Sequence, residues 1–334
     1  MRIIVDVFGG DKAPVEILKG CALAVSEYGV DILACGNEKV IHEVSRSEHI
    51  SLNHIDITNV ERVIPVEVDS TEVVKSYDDC TMAVGLRMLA NGEGDAFVSA
   101  GSTGAVVVGA SLYVKRIKGI KRAALATAVP CQDGCYMLVD IGANKECRPE
   151  MLAQFGLMGS LYMENILGVR HPRVGTVNIG AEDSKGLELQ KEANVLLSHA
   201  PVNFIGNVEP RYLPFGCCDV AVCDGFTGNV ILKLTEGLGK WFAGELKGIF
   251  MEGTKSKIGY LCVKDGVDGF KQKMDYKEYG GAPLMGITKP VIKAHGSSDA
   301  RAFKNAIRQA KEYTERGVIR QIENSLAMLK TKEG

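Results

Sequence analysis

Short apolar runs that stop at glycine and give way to helical spacing recur along the chain, and this change of period organises it. Residues 2–7 read as a strand, Gly9-Gly10-Asp11 as a turn, and Pro14 with Ile17, Leu18, Ala22 and Val25 as a helix. The cycle repeats with a strand at 31–35, a helix near 40–44 and a strand at 55–58. One longer amphipathic helix is expected within 69–91, carrying Met82, Leu86 and Leu89. The run Phe97-Val98-Ser99 then enters a glycine turn and a helix over 104–114. Strands at 123–129 and 136–141, joined by Pro130-Cys131-Gln132-Asp133-Gly134, read as a hairpin. A helix at 149–167, a strand at 174–179, a helix ending at Leu197 and a strand at 202–205 follow. The run 219–223 meets the turn Asp224 to Asn229, after which Val230, Ile231, Leu234, Leu238 and Trp241 take up helical spacing. Residues 233–273 are less regular and read as a helical excursion from the sheet. A strand at 290–294 and a final helix capped by Ser297 or Ser298 complete the pattern. Such alternation predicts an α/β fold, a largely parallel sheet with helices on both faces, built as one unit over 1–334.

Composition narrows the possibilities. A chain of 334 residues with 46% hydrophobic content can bury a large core, and 39 basic against 41 acidic residues do not call for nucleic acid. The ten cysteines are scattered, mostly inside apolar runs such as those around Cys21, Cys35, Cys80 and Cys223, and read as reduced core residues. Cys131 and Cys135 lack a second ligand pair at zinc spacing, so no metal is expected. The first residues run directly into structure and the longest apolar run, 105–114, is short of the roughly 20 residues of a membrane span. A cytoplasmic protein is expected on these grounds.

The glycine turns are the chemical signal. A strand that ends in glycine and begins a helix brings backbone N–H groups close to an anion, and ligands gather at strand carboxyl ends in open α/β sheets. Ser99, Gly101, Ser102, Thr103 and Gly104 form one such turn; Asp224, Gly225, Thr227, Gly228 and Asn229 form another; Asn144 and Asn178 follow other strands. The same arrangement also serves plain close packing. No turn fits the nucleotide P-loop or the dinucleotide fingerprint, so neither ATP nor NAD is expected. Lys185, beside Glu182 and Asp183, is either a surface ion pair or a cation aimed into a cleft, and His295 is either a packing residue or a ligand. No nucleophile triad or Gly-x-Ser-x-Gly elbow stands out. Lys115, Arg116, Lys118, Lys121 and Arg122 make a dense basic run.

Taken together, Gly9-Gly10-Asp11, Ser99 to Ala105, Asp140-Ile141-Gly142-Ala143-Asn144, Asn178-Ile179-Gly180, Lys185-Gly186, Cys223 to Asn229, Tyr279-Gly280-Gly281-Ala282 and His295-Gly296-Ser297-Ser298 closely resemble the PlsX-type phosphate acyltransferase family, in order over nearly the whole chain. Phe8 and Ser102 depart from the usual Met and Asn, and Pro210 from a usual Gly. The resemblance implies a three-layer α/β/α, Rossmann-like fold like those of phosphotransacetylases and of isocitrate and isopropylmalate dehydrogenases. It implies transfer of a long-chain acyl group from acyl carrier protein to inorganic phosphate, without a cofactor, for phospholipid synthesis. Lys185 matches an active-site lysine of the family; Asn229 and His295 are further catalytic candidates, and Gly9, Gly10, Asp11 and Ser297 join the turn residues as phosphate or substrate contacts. The basic run is expected to dock the acidic carrier protein, and the excursion at about 239–276 to serve a homodimer and touch anionic lipid. A membrane glycerol-3-phosphate acyltransferase is the expected consumer of the product. Two other readings stay open: a phosphotransacetylase-like enzyme acting on acyl-CoA, and a non-catalytic scaffold that binds carrier protein or membrane.

Overall fold

A computed structural model describes residues 1–273 and 280–332. The first half alternates as expected: β1 (Arg2–Asp6), α1 (Val15–Tyr28), β2 (Asp31–Gly36), α2 (Glu38–Ser47), β3 (Ile55–Asn59), α3 (Thr81–Ala90), β4 (Ala96–Ser99) and α4 (Thr103–Gly109). Next come β5 (Ala124–Cys131), β6 (Gly134–Val139), α5 (Pro149–Asn165), β7 (Arg173–Val177), α6 (Glu188–His199), β8 (Asn203–Val208) and β9 (Val220–Val222). The last third holds α7 (Gly225–Met251), α8 (Thr254–Lys273), β10 (Ala282–Met285), β11 (Val291–Lys293), α9 (Ala300–Glu315) and α10 (Val318–Lys332). Of the glycine motif at 279–282, Tyr279 lies outside the described residues, as do residues 274–276 of the excursion.

Eleven strands form one sheet in the order β3-β2-β1-β4-β11-β10-β5-β6-β9-β7-β8. Neighbours within β3 to β11, and within β6 to β8, run parallel. In the middle, β10 is antiparallel to β11 and to β5, and the β5–β6 hairpin adds a third reversal. The two parallel halves therefore point in opposite directions. Their carboxyl ends make two rims, where uninterrupted parallel order would have made one.

Alternate residues of each strand feed two cores. Ile3, Val5, Val98, Met137 and Val222 face α1, α5, α9 and α10, while Ile4, Phe97, Leu125, Leu138 and Ala221 face α3 and α4. The polar residues at the strand ends continue the second alternation: Asp6 follows Ile4, Ser99 follows Phe97, Asp140 follows Leu138 and Lys293 follows Val291. That face carries the candidate site.

The sheet is largely parallel, as expected, with antiparallel pairing confined to its centre. Three expectations are corrected. The single helix expected within 69–91 is a 3-10 turn at Ser70–Val74 followed by α3, because Ser70 and Val73 are drawn onto α4 at Gly104 and Gly109. The excursion is regular: α7 runs unbroken for 27 residues and turns back as α8, with Phe250 and Tyr260 rings 5.3 Å apart. Asp299, not Ser297 or Ser298, caps α9, accepting the Ala302 N–H at 2.9 Å.

Candidate active site

At the first rim, three turns close on one another with almost no room between them. A Cβ at Gly9 would lie 2.7 Å from the Gly101 nitrogen, and one at Gly10, whose φ is +105°, would lie 3.0 Å from the Gly296 carbonyl. Glycine is needed there for protein to approach protein. Asp6 organises the contact from below: it is fully buried and accepts the Ser99 hydroxyl at 2.7 Å, and Ser99 Oγ in turn accepts the Gly101 N–H at 3.0 Å. Burial pushes the Asp6 carboxyl above its ordinary value, with the Ser99 bond pulling it back. Beside these turns Asp11, His295 and Ser297 are exposed and Ser102 and Thr103 half-exposed. Ser102, at the start of α4, makes no side-chain cap bond.

His295 is held by its own turn. Its Nδ1 accepts the Ser297 N–H at 3.2 Å and lies 2.9 Å from Ser297 Oγ, so the neutral ring carries its proton on Nε2. Partial burial lowers its pKa, as do the nearby ammonium groups of Lys293, Lys233 and Lys240, against the opposing charge of Glu236. The neutral ring is thereby favoured at neutral pH.

At the second rim another buried carboxylate gathers a turn. Asp140 accepts N–H groups from Leu125 (3.0 Å), Ala143 (3.1 Å) and Asn144 (2.7 Å), and burial raises its pKa against those bonds. The Asn144 amide is spent on the Ala123 carbonyl at 2.7 Å and on Asp140 at 2.9 Å. The start of α7, expected from sequence to receive an anion, is occupied by protein: Asp224 accepts the Thr227 N–H (2.9 Å) and hydroxyl (2.7 Å), and the Asn144 carbonyl takes the Gly225 N–H at 2.8 Å. Asp224, Gly225, Thr227 and Gly228 therefore shape the rim. Asn229 is exposed and lies against Gly142. A Cβ at Gly228 would sit 1.9 Å from the Asp140 carbonyl, so Gly228→Ala is expected to cost about 2–3 kcal/mol of stability. A urea melt reads this directly, and an unchanged midpoint would contradict the tight contact.

Next to it, after β7, an asparagine network fixes the loop that carries Lys185. Asn178 Nδ2 donates to the Lys185 carbonyl at 3.1 Å and to Asn207 Oδ1 at 2.9 Å, while Asn207 Nδ2 donates to the Glu182 carbonyl at 2.9 Å. The Asn178 side chain is thus a loop anchor. The backbone of Lys185 is pinned and its side chain is exposed, with no ion pair among the described residues.

Helix α7 connects the rims. It starts at Asp224 on the second, and its residues Lys233, Glu236 and Lys240 come within electrostatic reach of His295 on the first; Lys233 also acts on Lys293. Helix α4 with its π-helical extension (Ala110–Val114) starts at Ser102 on the first rim and leads into Lys115 and the basic loop. The twelve residues 103–114 carry the chain roughly 18 Å from that rim to the loop. The basic loop is pinned by Ile117 N–H to the Gly286 carbonyl (2.9 Å) and Lys121 N–H to Gln154 Oε1 (2.8 Å). Its five cationic side chains are exposed, and Ala123, bonded to Asn144, follows directly. Two cations were missed in the sequence. Lys233 falls one helical turn after Asn229, and Lys293 sits inside an apolar strand.

A hollow of about 540 Å³ lies on the opposite face, between α1, α5 and α9. Its Lys304 and Arg308 are already paired, with Glu27 at 2.6 Å and Glu312 at 3.4 Å. Among the described residues no group of three or more His, Cys, Asp or Glu is arranged to hold a metal, and no helix is long and apolar enough to cross a membrane.

The sequence pattern of a family described as "Fatty acid synthesis protein" matches residues 1–321. Proteins named phosphate acyltransferase from Alkaliphilus oremlandii and Clostridium novyi are each 45% identical, over 329 and 327 residues, covering 98% of both chains. A third from Clostridium botulinum (strain Loch Maree) is 46% identical over 331 residues, again covering 98% of each. Among solved structures, a phosphotransacetylase from Streptococcus pyogenes superposes with a TM-score of 0.66 at 18% identity, over 94% of both chains. The EutD phosphotransacetylase from Staphylococcus aureus gives 0.61 at 17%, over 93% of this chain and 94% of that one. At those identities the likeness is one of fold.

Proposed function

The chain belongs to the phosphate acyltransferase (PlsX) family of transferases, and from that premise we propose that it moves a long-chain fatty acyl group from acyl-acyl carrier protein to inorganic phosphate, giving an acyl phosphate for phospholipid synthesis. One observation supports the reading most: Lys233, Glu236 and Lys240 of α7, the helix that starts on the second rim, come within electrostatic reach of His295 on the first, and the cations of the basic loop are exposed. A phosphate oxygen attacks the thioester carbonyl carbon, forming the new C–O bond and a tetrahedral oxyanion. Collapse breaks the C–S bond, and the electron pair leaves on sulfur, whose conjugate thiol has an ordinary pKa of about 8.5. These steps need no enzyme nucleophile and no redox cofactor. The protein supplies position and charge. Lys185, Asn229 and His295 take the catalytic roles, with Ser102 and Thr103 as hydroxyl donors to phosphate and Ser297, its hydroxyl 2.9 Å from His295 Nδ1, contacting the substrate site through the ring it orients. Asp6 and Asp140 hold the turns.

The basic loop suits an acidic carrier protein, although coenzyme A is anionic too. Reversing Lys118 and Lys121 to Glu is expected to raise the KM for acyl carrier protein about tenfold and flatten its salt dependence, with kcat unchanged. An unchanged KM would remove the loop from docking. Assaying acyl carrier protein and CoA thioesters side by side tests the donor; a clear preference for CoA would favour the phosphotransacetylase-like reading. Binding of carrier protein with no thiol release would leave only a scaffold.

Phe226, Val230, Leu234, Leu238 and Trp241 form an exposed apolar stripe along α7, suited to a second copy of the chain. Lys247, Lys255, Lys257 and Lys264 accompany exposed Ile249, Ile258 and Leu261 on the excursion, suiting reversible contact with anionic lipid from the cytoplasmic side. There the labile product would pass to a membrane glycerol-3-phosphate acyltransferase. The central strands β10 and β5 tie both halves into one sheet, which supports one catalytic unit over 1–334.

A further inference from the structure

Lys293 is buried at the end of β11, beneath the place where the turns after β1, β4 and β11 close together. A lysine so placed must satisfy its ammonium inside the protein. Its Nζ donates to the Ala294 carbonyl and, at 3.4 Å, to the Ala100 carbonyl, so one cation joins the turn that leads to Ser102 and Thr103 with the turn that carries His295 and Ser297. Asp6 from β1 and Asp11 from the first turn attract it, and Lys233 from α7 repels it. Asp6 Oδ1, buried in the same cluster, has no hydrogen bond of ordinary geometry among the described residues. Tying two loops would need only a neutral donor; a buried charge costs far more and is kept where a field is wanted.

We propose that Lys293 in its ammonium form is a positioning residue for acyl transfer, locking the Ala100 and Ala294 carbonyls so that Ser102, Thr103 and His295 present to one phosphate. The inference rests on the phosphate-acyltransfer reading. Burial lowers its pKa to about 8, so the locking charge is lost as pH rises through that value, well before an exposed lysine would titrate. Two other groups face it, Asp6 with its carboxyl raised by burial and His295 with its ring lowered, so the arginine variant, which changes Lys293 alone, is what assigns the limb.

The test is the pH–rate profile of acyl phosphate formation for the wild type, Lys293→Arg and Lys293→Met, with melting curves on each. The wild type is expected to lose kcat/KM for phosphate above about pH 8. Lys293→Arg, which stays charged, is expected to keep activity and shift that limb upward by at least about one pH unit. Lys293→Met is expected to lose about 100-fold in kcat with its KM for the thioester unchanged. A wild-type profile flat through about pH 10, an unmoved limb in Lys293→Arg, or a folded Lys293→Met with wild-type kcat would each overturn the assignment. If the methionine variant does not fold, the wild-type and arginine profiles still decide. A wild type that makes no acyl phosphate at any pH defeats the functional reading instead, which separates the two failures.

Discussion

Lys185→Ala is expected to lower kcat for acyl phosphate formation by about 10²–10³-fold while leaving the thermal midpoint within about 2 °C of the wild type. The separation follows from how the residue is held. Asn178, Asn207 and the Glu182 carbonyl fix the loop through backbone contacts that alanine preserves, and the lysine side chain itself is exposed. What the substitution removes is one exposed cation on the loop after β7. Removing one group that stabilises a developing oxyanion costs about 3–4 kcal/mol, which sets the range. Lys185→Arg should recover only part of the rate, since a planar fork replaces a compact point charge. Wild-type kcat in Lys185→Ala would exclude the residue from the chemistry; a large fall in melting temperature would make it a structural residue instead.

His295→Ala is expected to lower kcat/KM for phosphate by about 10–100-fold, with a distinctive pH signature. In the wild type, partial burial and the lysines around it depress the His295 pKa, so the neutral Nε2–H donor is already formed at neutral pH. The folded protein binds a proton there less readily than the unfolded chain. Any stability linked to the residue therefore rises with pH up to the ordinary histidine value near 6.5 and is lost in acid. Activity should show a weak acid limb below that value, and His295→Ala should abolish the limb along with most of the rate. A variant that keeps wild-type kcat/KM would make the Ser297 contact a purely local turn.

Much of the element pattern was legible because glycine marks the strand ends so regularly. The hairpin at 130–134, the alternation through β1 to β4 and the run before Asp224 could be read from period alone. Sheet direction could not. Strand β10, four residues long, enters between β11 and β5 about 150 residues after β5 is made, and nothing local to Ala282–Met285 announces that pairing. Its two antiparallel contacts cancel, so the opposite sense of the halves comes from the β5–β6 hairpin, whose place in the sheet only that distant pairing fixes.

The site was legible in its loops more than in its working groups. Gly225 and Gly228 read equally well as ligand contacts or as close packing, and they pack against Asn144 and Asp140. Asp224 read as part of an anion site, yet a carboxylate at the head of a helix supplies the negative charge itself. Lys293 escaped notice because a lysine in a short strand usually marks the solvent face. It is buried only because three distant turns close over it, which no window of sequence contains.

The central claim is direct attack by phosphate in a cleft that lends no covalent handle, and the most direct measurement is thiol release from palmitoyl carrier protein with and without phosphate, followed by the intact mass of the enzyme. The account predicts no thiol and no added mass without phosphate, then equal amounts of thiol and acyl phosphate once it is supplied. A burst of thiol in the absence of phosphate, matched by an enzyme heavier by one acyl group, would contradict it.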